Sequence, residues 1–395
     1  MEYWQPLDTT ETATLIDWRR ALHCQPELSL VEHDTQRALH GWLSGMGLDP
    51  VPVGGTGLAC ALGRGETGQV LMLRADMDAL PVQEHTGLAF ASQRPGKMHA
   101  CGHDAHMACL LAVAKRLIDH QDQIPGTVVL AFQPGEEDGQ GAVKMIRDGL
   151  LDGQWCGRPE LAVQAALGLH VWSKLPTGTV SAVAGPIMAA VDDFHITVKG
   201  CGGHGALPHQ TRDAVVAGAA VVQALQTLAS RRIDPLDPVV VTVGSIQGGT
   251  TFNVVAETCE LRGTVRTFSP DLYERLPAML TELAARTAQA YECTAETVYR
   301  RYAIALHNDA DQVERVARAA AGARGVVHVD RQMRMMGGED FAFFAEKVPS
   351  CFFFVGCGPL GAASEPHHSP RFVVDEAALP IASEVMLRAV ADFFA

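Results

Sequence analysis

The chain alternates apolar runs with helical patterns in its first half. Four apolar runs lack polar alternation: residues 70–73, 127–132, 166–169 and 351–355. Runs of this kind are typical of parallel strands that are covered on both faces. Between the first two runs, apolar residues recur at steps of three and four from Asp104 to about residue 118, which predicts a buried helix with Asp104 as its cap. The pattern predicts an α/β fold with a mostly parallel, doubly wound sheet.

Residues 185–301 have a different rhythm. The pattern predicts strands and helices in the order β-α-β-β-α-β, at residues 194–198, 212–230, 239–245, 257–268, 270–290 and 294–301. This is the order of the ferredoxin-like split motif, which forms a compact α+β domain. We therefore predict a discontinuous main domain, residues 1–184 and 302–395, interrupted by an inserted domain at 185–301.

Composition narrows the class of protein. A chain of 395 residues with 47% hydrophobic and 19% charged residues is typical of a soluble globular protein with two domains. The net charge of -14 opposes binding to nucleic acid or anionic membranes, so we expect neither partner. The first residues do not resemble a signal peptide, and no run of about 18 apolar residues occurs, so a cytoplasmic location is expected. Ten cysteines are too sparse for a disulfide scaffold.

Polar clusters follow each of the four predicted strands. They are residues 74–78, residues 133–137, His170, and the loop that contains His367 and His368. In open α/β sheets, ligands bind beyond the carboxyl ends of the strands, so these distant segments are expected to meet in one crevice.

The densest cluster is residues 99–106, with the sequence HACGHDAH. Cys101 and His103 are two positions apart, and from a loop both side chains can face one point. A thiolate and an imidazole are good ligands for a borderline transition metal. The alternative is a buried thiol beside a hydrogen-bonded histidine, since C-x-H alone is common; the other three clusters favour the metal site.

Glu136 and Glu137 are adjacent, so their side chains point in different directions from an extended turn. One carboxylate can bind metal while the other accepts a proton from water. A solvated acidic loop that includes Asp138 is the alternative.

Seven segments in this order resemble one known family: HACGHDAH, QPGEE, LHVW, GGHGALPH, FNVV, GGEDF and HSPRF. The family is the metallo-aminoacylase and hippurate hydrolase family, including its indole-acetyl-amino-acid hydrolase branch. The resemblance extends from about Trp18 to Phe394. It implies an α/β catalytic domain with a dinuclear metal site and an inserted ferredoxin-like lid that often dimerises.

The resemblance also implies roles for single residues. The implied metal ligands are a bridging Cys101, His103 and His170 on one ion, and Glu137 and His368 on the other. Glu136 is implied to be the general base, and His367 a neighbour of the site. Three aspartates, Asp76, Asp78 and Asp104, are expected to orient the ligands, although capping of the helix is an equal alternative for Asp104.

The inserted domain carries three further residues that match the family. His204 is implied to reach the active site of the partner subunit and stabilise the oxyanion. Asn253 and Arg266 match the pair that binds the free carboxylate of the substrate, a task suited to the planar fork of arginine. A surface-loop role for His204 and a solvated strand position for Arg266 are the alternatives.

The chain departs from the family pattern at four positions: Met107, Gly135, Gln140 and Ala256. None of them is a proposed ligand or base. The departures therefore put only the identity of the acyl group in doubt.

Together these features predict a homodimeric amidohydrolase that cleaves N-acyl amino acids with two divalent ions per subunit. The ligand types suit zinc, manganese, nickel and cobalt alike. Three alternatives remain open: a dipeptidase or carboxypeptidase of the same clan, an enzyme with Cys101 as nucleophile, and a non-catalytic binding homologue.

Overall fold

The computed structural model describes residues 3–359 and 364–395. The chain forms two compact units. The first comprises Met1–Gly185, His307–Arg334 and Asp340–Ala395, and the second comprises Pro186–Leu306 and Met335–Glu339. The second unit thus continues past the predicted boundary at 301, and it includes a segment that the prediction placed in the main domain.

Backbone hydrogen bonds explain why the segment Met335–Glu339 belongs to the second unit. Met335 N–H donates to the carbonyl of Ile187 (2.9 Å), and Ala189 N–H donates to the carbonyl of Gly337 (2.9 Å). These partners are about 150 positions apart along the chain, so local hydrophobic patterning does not indicate that they pair.

The strands are, in chain order, β1 Val51–Pro52, β2 Leu58–Leu62, β3 Val70–Asp76, β4 Thr127–Gln133, β5 Ala165–Pro176, β6 Thr179–Ser181, β7 Gly185–Met188, β8 Ala190–Lys199, β9 Gly203–His204, β10 Val239–Gly248, β11 Val254–Val255, β12 Thr258–Thr267, β13 Thr294–Ala303, β14 Leu306–Asn308, β15 His328–Asp330 and β16 Ser350–Gly358. The α-helices are α1 Thr9–His23, α2 His33–Gly45, α3 His103–Asp119, α4 Gly141–Arg147, α5 Ala214–Thr227, α6 Pro270–Gln289, α7 Ala310–Gly322, α8 Ala342–Lys347 and α9 Ala378–Phe394.

The large sheet has eight strands in the order β1-β2-β4-β3-β5-β16-β6-β15. The four predicted apolar runs are its four central strands, and these are mutually parallel. Every residue of β3, β4 and β16 is buried, which explains the lack of polar alternation. The predicted α/β class is confirmed, and parallel strands bring the ends of β3 and β4 to the same edge of the sheet.

Helix α3 forms where the sequence predicts it, but the prediction of Asp104 as its N-cap is wrong. The residue before the helix is Gly102, which makes no side-chain cap, and Asp104 lies within the first turn. Asp104 instead accepts hydrogen bonds from buried side chains of α1.

The second unit contains a four-stranded antiparallel sheet in the order β10-β12-β8-β13, packed against α5 and α6. The chain order β8-α5-β10-β12-α6-β13 is the predicted ferredoxin-like order. Alternate residues of β8, including Phe194, Ile196 and Val198, are buried in the core of this unit.

One helical segment of the described chain, Ala214–Arg232, is long and apolar enough to cross a membrane by length and composition alone. About a third of this segment is buried, and its buried residues, such as Ala217, Val221 and Leu225, pack in the core of the second unit. None of the ten cysteines, all of which lie in the described residues, forms a disulfide.

Candidate metal centre

A glycine shapes the backbone between the first two candidate ligands. Gly102 has φ 91°, and a Cβ at this position would lie 2.5 Å from Cγ2 of Val171. A larger residue is therefore excluded both by backbone conformation and by space. Cys101 precedes this glycine, and His103 follows it as the first residue of α3.

The five candidate ligands lie together in the first unit. The ligand atoms of Cys101, His103 and His170 lie within 4.8 Å of one another, and so do those of Cys101, Glu137 and His368. Cys101 Sγ is 3.4 Å from Nε2 of His170, and Nε2 of His368 is 3.3 Å from Oε1 of Glu137. The thiol is therefore common to two groups, each with three potential ligands.

Asp78 holds the segment that carries the two glutamates. Its carboxylate oxygens accept the backbone N–H groups of Glu136 (3.1 Å) and Glu137 (3.0 Å), as well as the hydroxyl of Ser29 (2.6 Å). The carbonyl oxygen of Asp78 lies 2.9 Å from Nδ1 of His103. One buried aspartate thus orients the backbone of both glutamates and one imidazole.

Asp76 lies beside two histidines in the first turn of α3. Its Oδ1 is 2.6 Å from Nδ1 of His106, and its Oδ2 is 3.6 Å from Nε2 of His103. From the sequence, His106 is a candidate only in the alternative mechanism, as a possible base for a Cys101 nucleophile. Its spacing of three from His103 was a usable signal, because residues at i and i+3 share a helix face.

The charge of this cluster is strongly negative. Burial raises the pKa of the Cys101 thiol well above its usual value, and the charges of Glu137 and Glu136 raise it further. Burial lowers the pKa of His103, but the charge of Asp76 and the bond to Asp78 outweigh this and raise it to about 10. Positive charge near these carboxylates stabilises their ionised forms.

The donor set fits divalent metal ions. Nε2 of His103 is buried and has no hydrogen-bond partner among the described residues, and one ring nitrogen of His103 lies within 4.8 Å of Cys101 Sγ and of a nitrogen of His170. Sulfur, imidazole and carboxylate donors are the usual ligands of zinc and related ions. A buried imidazole nitrogen without a partner costs free energy, and metal coordination would remove that cost.

The two neighbouring histidines in the last cluster differ in their surroundings. His368 has φ 65°, a left-handed conformation that is uncommon for a residue other than glycine and often marks a functional site. His367 stacks on Trp172 at 4.4 Å, and its Nε2 accepts the backbone N–H of Ser173 (3.2 Å). His367 is thus a packed neighbour, whereas His368 faces Glu137.

Asp104 has partners away from the candidate ligands. Its Oδ2 accepts a hydrogen bond from Nε of Arg19 (3.0 Å) and lies 2.9 Å from Nδ1 of His23. Although burial raises the pKa of Asp104, the charges of Arg19 and His23 hold it well below the usual range. Asp104 therefore joins a buried charge network at the start of α3.

The second unit carries the other three predicted site residues. His204 and Asn253 are exposed and lie close together, because Gly205 N–H donates to the carbonyl of Asn253 (2.9 Å). Nδ1 of His204 accepts the N–H of Ala206 (3.0 Å), so the proton of the neutral ring is on Nε2, which is then a donor. Arg266 is half-buried on β12, and burial lowers its pKa while the charge of Asp192 opposes this.

Residues 72–392 match the model of peptidase family M20/M25/M40. The chain belongs to this family. A protein of Bacillus subtilis (strain 168) named N-acetylcysteine deacetylase is 38% identical to this chain, with 94% of each chain covered. The IAA-amino acid hydrolase ILR1-like 4 of Arabidopsis thaliana is 37% identical, over 92% of this chain and 83% of that one.

Solved structures of the family have the same fold. The chain matches a Bacillus subtilis protein, described as a dinuclear metal binding peptidase from the M20 family, with TM-score 0.83 and 34% identity. That match covers 97% of this chain and 98% of the other. The predicted family and its metal-dependent amidohydrolase class are confirmed, since the relatives are named as a deacetylase and a hydrolase.

Proposed function

We propose that this chain hydrolyses the amide bond of N-acyl amino acids with two bound divalent metal ions. One observation carries the proposal: Cys101 is shared by two groups of three ligands, with Glu136 beside them. A carboxylate oxygen of Glu136 lies within 4.8 Å of a ligand atom of both His103 and Glu137. In this proposal the thiol of Cys101 would serve both ions, His103 and His170 would hold one, and Glu137 and His368 would hold the other.

Bound ions would polarise the amide carbonyl and make a nearby water more acidic. Glu136 accepts a proton from the attacking water, as its place beside the ligands allows. When the C–N bond breaks, Glu136 passes this proton to the leaving nitrogen. The products are a carboxylic acid and a free amino acid, so the atoms balance without another reactant.

The second unit supplies the substrate contacts in this proposal. His204 donates through Nε2–H to the oxyanion, where negative charge develops only in the transition state. Asn253 and Arg266 bind the free carboxylate of the amino acid. The chain carries a net charge of -14, so attraction of an anionic substrate has to come from local positive groups such as Arg266.

A homodimer is part of the proposal, with His204 acting in the partner's active site. The exposed apolar side chains of the second unit support it. Phe252 and Val254 flank Asn253 and are 99% and 50% exposed, and Val216 on α5 is 50% exposed. Exposed apolar groups of this size next to proposed site residues favour contact with another protein surface. The unpaired cysteines agree with the further proposal of a cytoplasmic location.

A cysteine nucleophile fits the site less well. A nucleophilic thiol needs a lowered pKa, but burial and the neighbouring glutamates raise the pKa of Cys101. Chelator-resistant activity that iodoacetamide abolishes would favour the nucleophile.

A substrate panel tests the function directly. Apo-protein is reconstituted separately with zinc, manganese, nickel and cobalt and assayed on acyl-glycines, acyl-aromatic amino acids and dipeptides. Turnover of acyl amino acids, lost with chelator and restored by metal, is the expected result. A preference for dipeptides would instead indicate a peptidase, and inactivity of every metal-loaded form on the whole panel would contradict the proposal.

A further inference from the structure

Asp340 belongs to the GGEDF segment, and the proposed chemistry gives it no role. Its side chain is 1% exposed, and both carboxylate oxygens accept hydrogen bonds. Oδ1 accepts from Nη2 of Arg74 (3.1 Å) and from Nε2 of Gln133 (2.7 Å). Oδ2 accepts from the backbone N–H of Ala142 (3.0 Å).

Two of these partners stand at the two ends of the segment that carries Glu136 and Glu137. Gln133 is the last residue of β4, and Ala142 is the second residue of α4. The segment between them is closed on itself, since Gly141 N–H donates to the carbonyl of Gly135 (3.1 Å). Asp340 therefore joins the entry and the exit of the turn with a single carboxylate.

The third partner, Arg74, extends the network to Asp76. Arg74 is fully buried, and its Nη1 donates to Oδ2 of Asp76 (2.7 Å) while its Nε donates to Oε1 of Gln133 (2.8 Å). The same guanidinium thus contacts Gln133, Asp340 and Asp76. It holds the ends of β3 and β4 in register at the edge where the candidate ligands gather.

From Asp76 the network reaches the backbone beside His170. Nε2 of His106 accepts the N–H of Val171 (2.9 Å), so Nδ1 carries the proton and donates to Asp76 (2.6 Å). The carbonyl of Val171 lies 2.6 Å from Nδ1 of His170. The residue that follows His170, Val171, is therefore held at its N–H by His106 and at its carbonyl by the ring of His170.

Stability alone is a weak reason for this arrangement. Removing Asp340, Arg74 and Asp76 from water is costly, and well-packed apolar residues are often as stabilising as buried ion pairs. A fixed geometry at both the glutamate turn and His170 is what the charged network adds. Ligand-orienting groups of this kind control metal affinity.

We propose that Asp340 is a positioning residue of the metal centre, which fixes the Glu136–Glu137 turn directly and His170 through Arg74, Asp76 and His106. The proposal rests on the proposed function in one respect, that the centre binds two metal ions. Asp340 is not one of the proposed ligands, and one of its carboxylate oxygens lies within 4.8 Å of a carboxylate oxygen of Glu136. In this scheme Asp340 acts through the groups that it holds.

The test is the variant Asp340→Asn. The amide keeps the shape of the side chain. When its oxygen accepts the hydrogen bonds from Arg74 and Gln133, its NH₂ group faces the N–H of Ala142 and cannot accept a hydrogen bond from it. Binding of Co²⁺ to apo-protein is measured by calorimetry and by the absorption spectrum of the bound ion, together with thermal unfolding. We expect affinity about 10- to 100-fold weaker than in the wild type and an altered cobalt spectrum.

Glu384→Gln is the matched control. Glu384 is 2% exposed, and its Oε1 accepts from Nε of Arg388 (2.7 Å) and from the backbone N–H of Arg324 (3.1 Å). Both variants should lower the unfolding temperature, but only Asp340→Asn should change cobalt affinity and spectrum. Equal cobalt binding by Asp340→Asn and wild type would overturn the proposal.

Gln133→Met keeps the test decisive if Asp340→Asn does not fold. It removes the bond from Gln133 to Asp340 and the bond from Nε of Arg74 to Gln133, but it leaves the bond from Nη2 of Arg74 to Asp340 in place. A smaller loss of cobalt affinity is therefore expected. Unchanged affinity in this variant would count against the network. A wild-type chain that binds no cobalt would contradict the proposed function itself, and the positioning role with it.

Discussion

The two regions that carry the proposed chemistry differ in how firmly their side chains are held. In the first unit, Asp76, Asp78 and His103 are no more than 1% exposed and are bonded to groups on other elements. In the second unit, His204 and Asn253 are exposed, and their side-chain hydrogen bonds run to Ala206 and Thr251, two positions away.

This difference separates two tasks. Metal ligands need fixed geometry before any ion arrives, and a dense buried network provides it. Groups that contact the substrate or another subunit can acquire their final geometry on binding. We therefore expect variants in the first region to change metal content or chemistry, and variants in the second to change substrate binding and assembly.

The largest effect is expected for Glu136→Gln. Loss of a general base should lower kcat by about 10²- to 10⁴-fold, because the amide cannot accept the proton of water. Metal content, measured by elemental analysis, should not change, since Glu136 is not a proposed ligand. Asp138→Asn is the matched control, as Asp138 lies in the same turn and is exposed; substantial activity in Glu136→Gln would remove Glu136 as the base.

His204→Ala should come next, with kcat lower by about 10²- to 10³-fold, the range for loss of one oxyanion donor. Metal affinity should stay at the wild-type value, in contrast to ligand variants. His209→Ala is the control, because His209 is an exposed histidine near the same loop.

Mixing the inactive Glu136→Gln and His204→Ala variants tests where His204 acts. If His204 serves the partner's site, hybrid dimers contain one intact site and regain part of the activity. Hybrids that are shown to form by mass spectrometry and stay inactive would place His204 in its own subunit's site.

Arg266→Met is expected to have a smaller effect, mainly on KM. Loss of a charged hydrogen bond to a carboxylate corresponds to about 1.5 to 3 kcal/mol, or roughly a 10- to 100-fold rise in KM. The rise should vanish for substrates whose carboxylate is blocked as an amide. Arg262→Met, an exposed arginine on the same strand, is the control; an equal rise for free and blocked substrates would contradict the assignment.

The sequence predicted the α/β fold well, and the five candidate ligands lie together in the structure, while their binding of metal stays a prediction. The four central strands are uninterrupted apolar runs because both faces of each are buried, and Cys101, His103 and the paired glutamates lie in compact local motifs. Arg74 and Asp340 were not recognised as partners, because they are 266 positions apart and neither type of residue signals burial. Asp104 was misread as a cap because its true partners, Arg19 and His23, are more than 80 positions away.

The smallest effect concerns stability of the first unit at high pH. Burial alone lowers the pKa of His23, but the charge of Asp104 and bonds to Asp104 and Glu84 raise it to about 9. The folded chain therefore binds this proton more tightly than the unfolded chain, whose histidine has a pKa of about 6.5. The stabilisation is present in full below about pH 6.5 and is lost as the pH rises through about 9, with a magnitude on the order of 1 to 3 kcal/mol.

Urea unfolding of wild type and His23→Gln at several pH values between 6 and 10 measures this contribution. The difference in unfolding free energy between the two proteins should be largest at pH 6 and shrink toward pH 10. His40→Gln, which changes an exposed histidine on α2, should show no such trend. A constant difference across the pH range would mean that His23 contributes by packing alone, and the charge network at the start of α3 would then not depend on its proton.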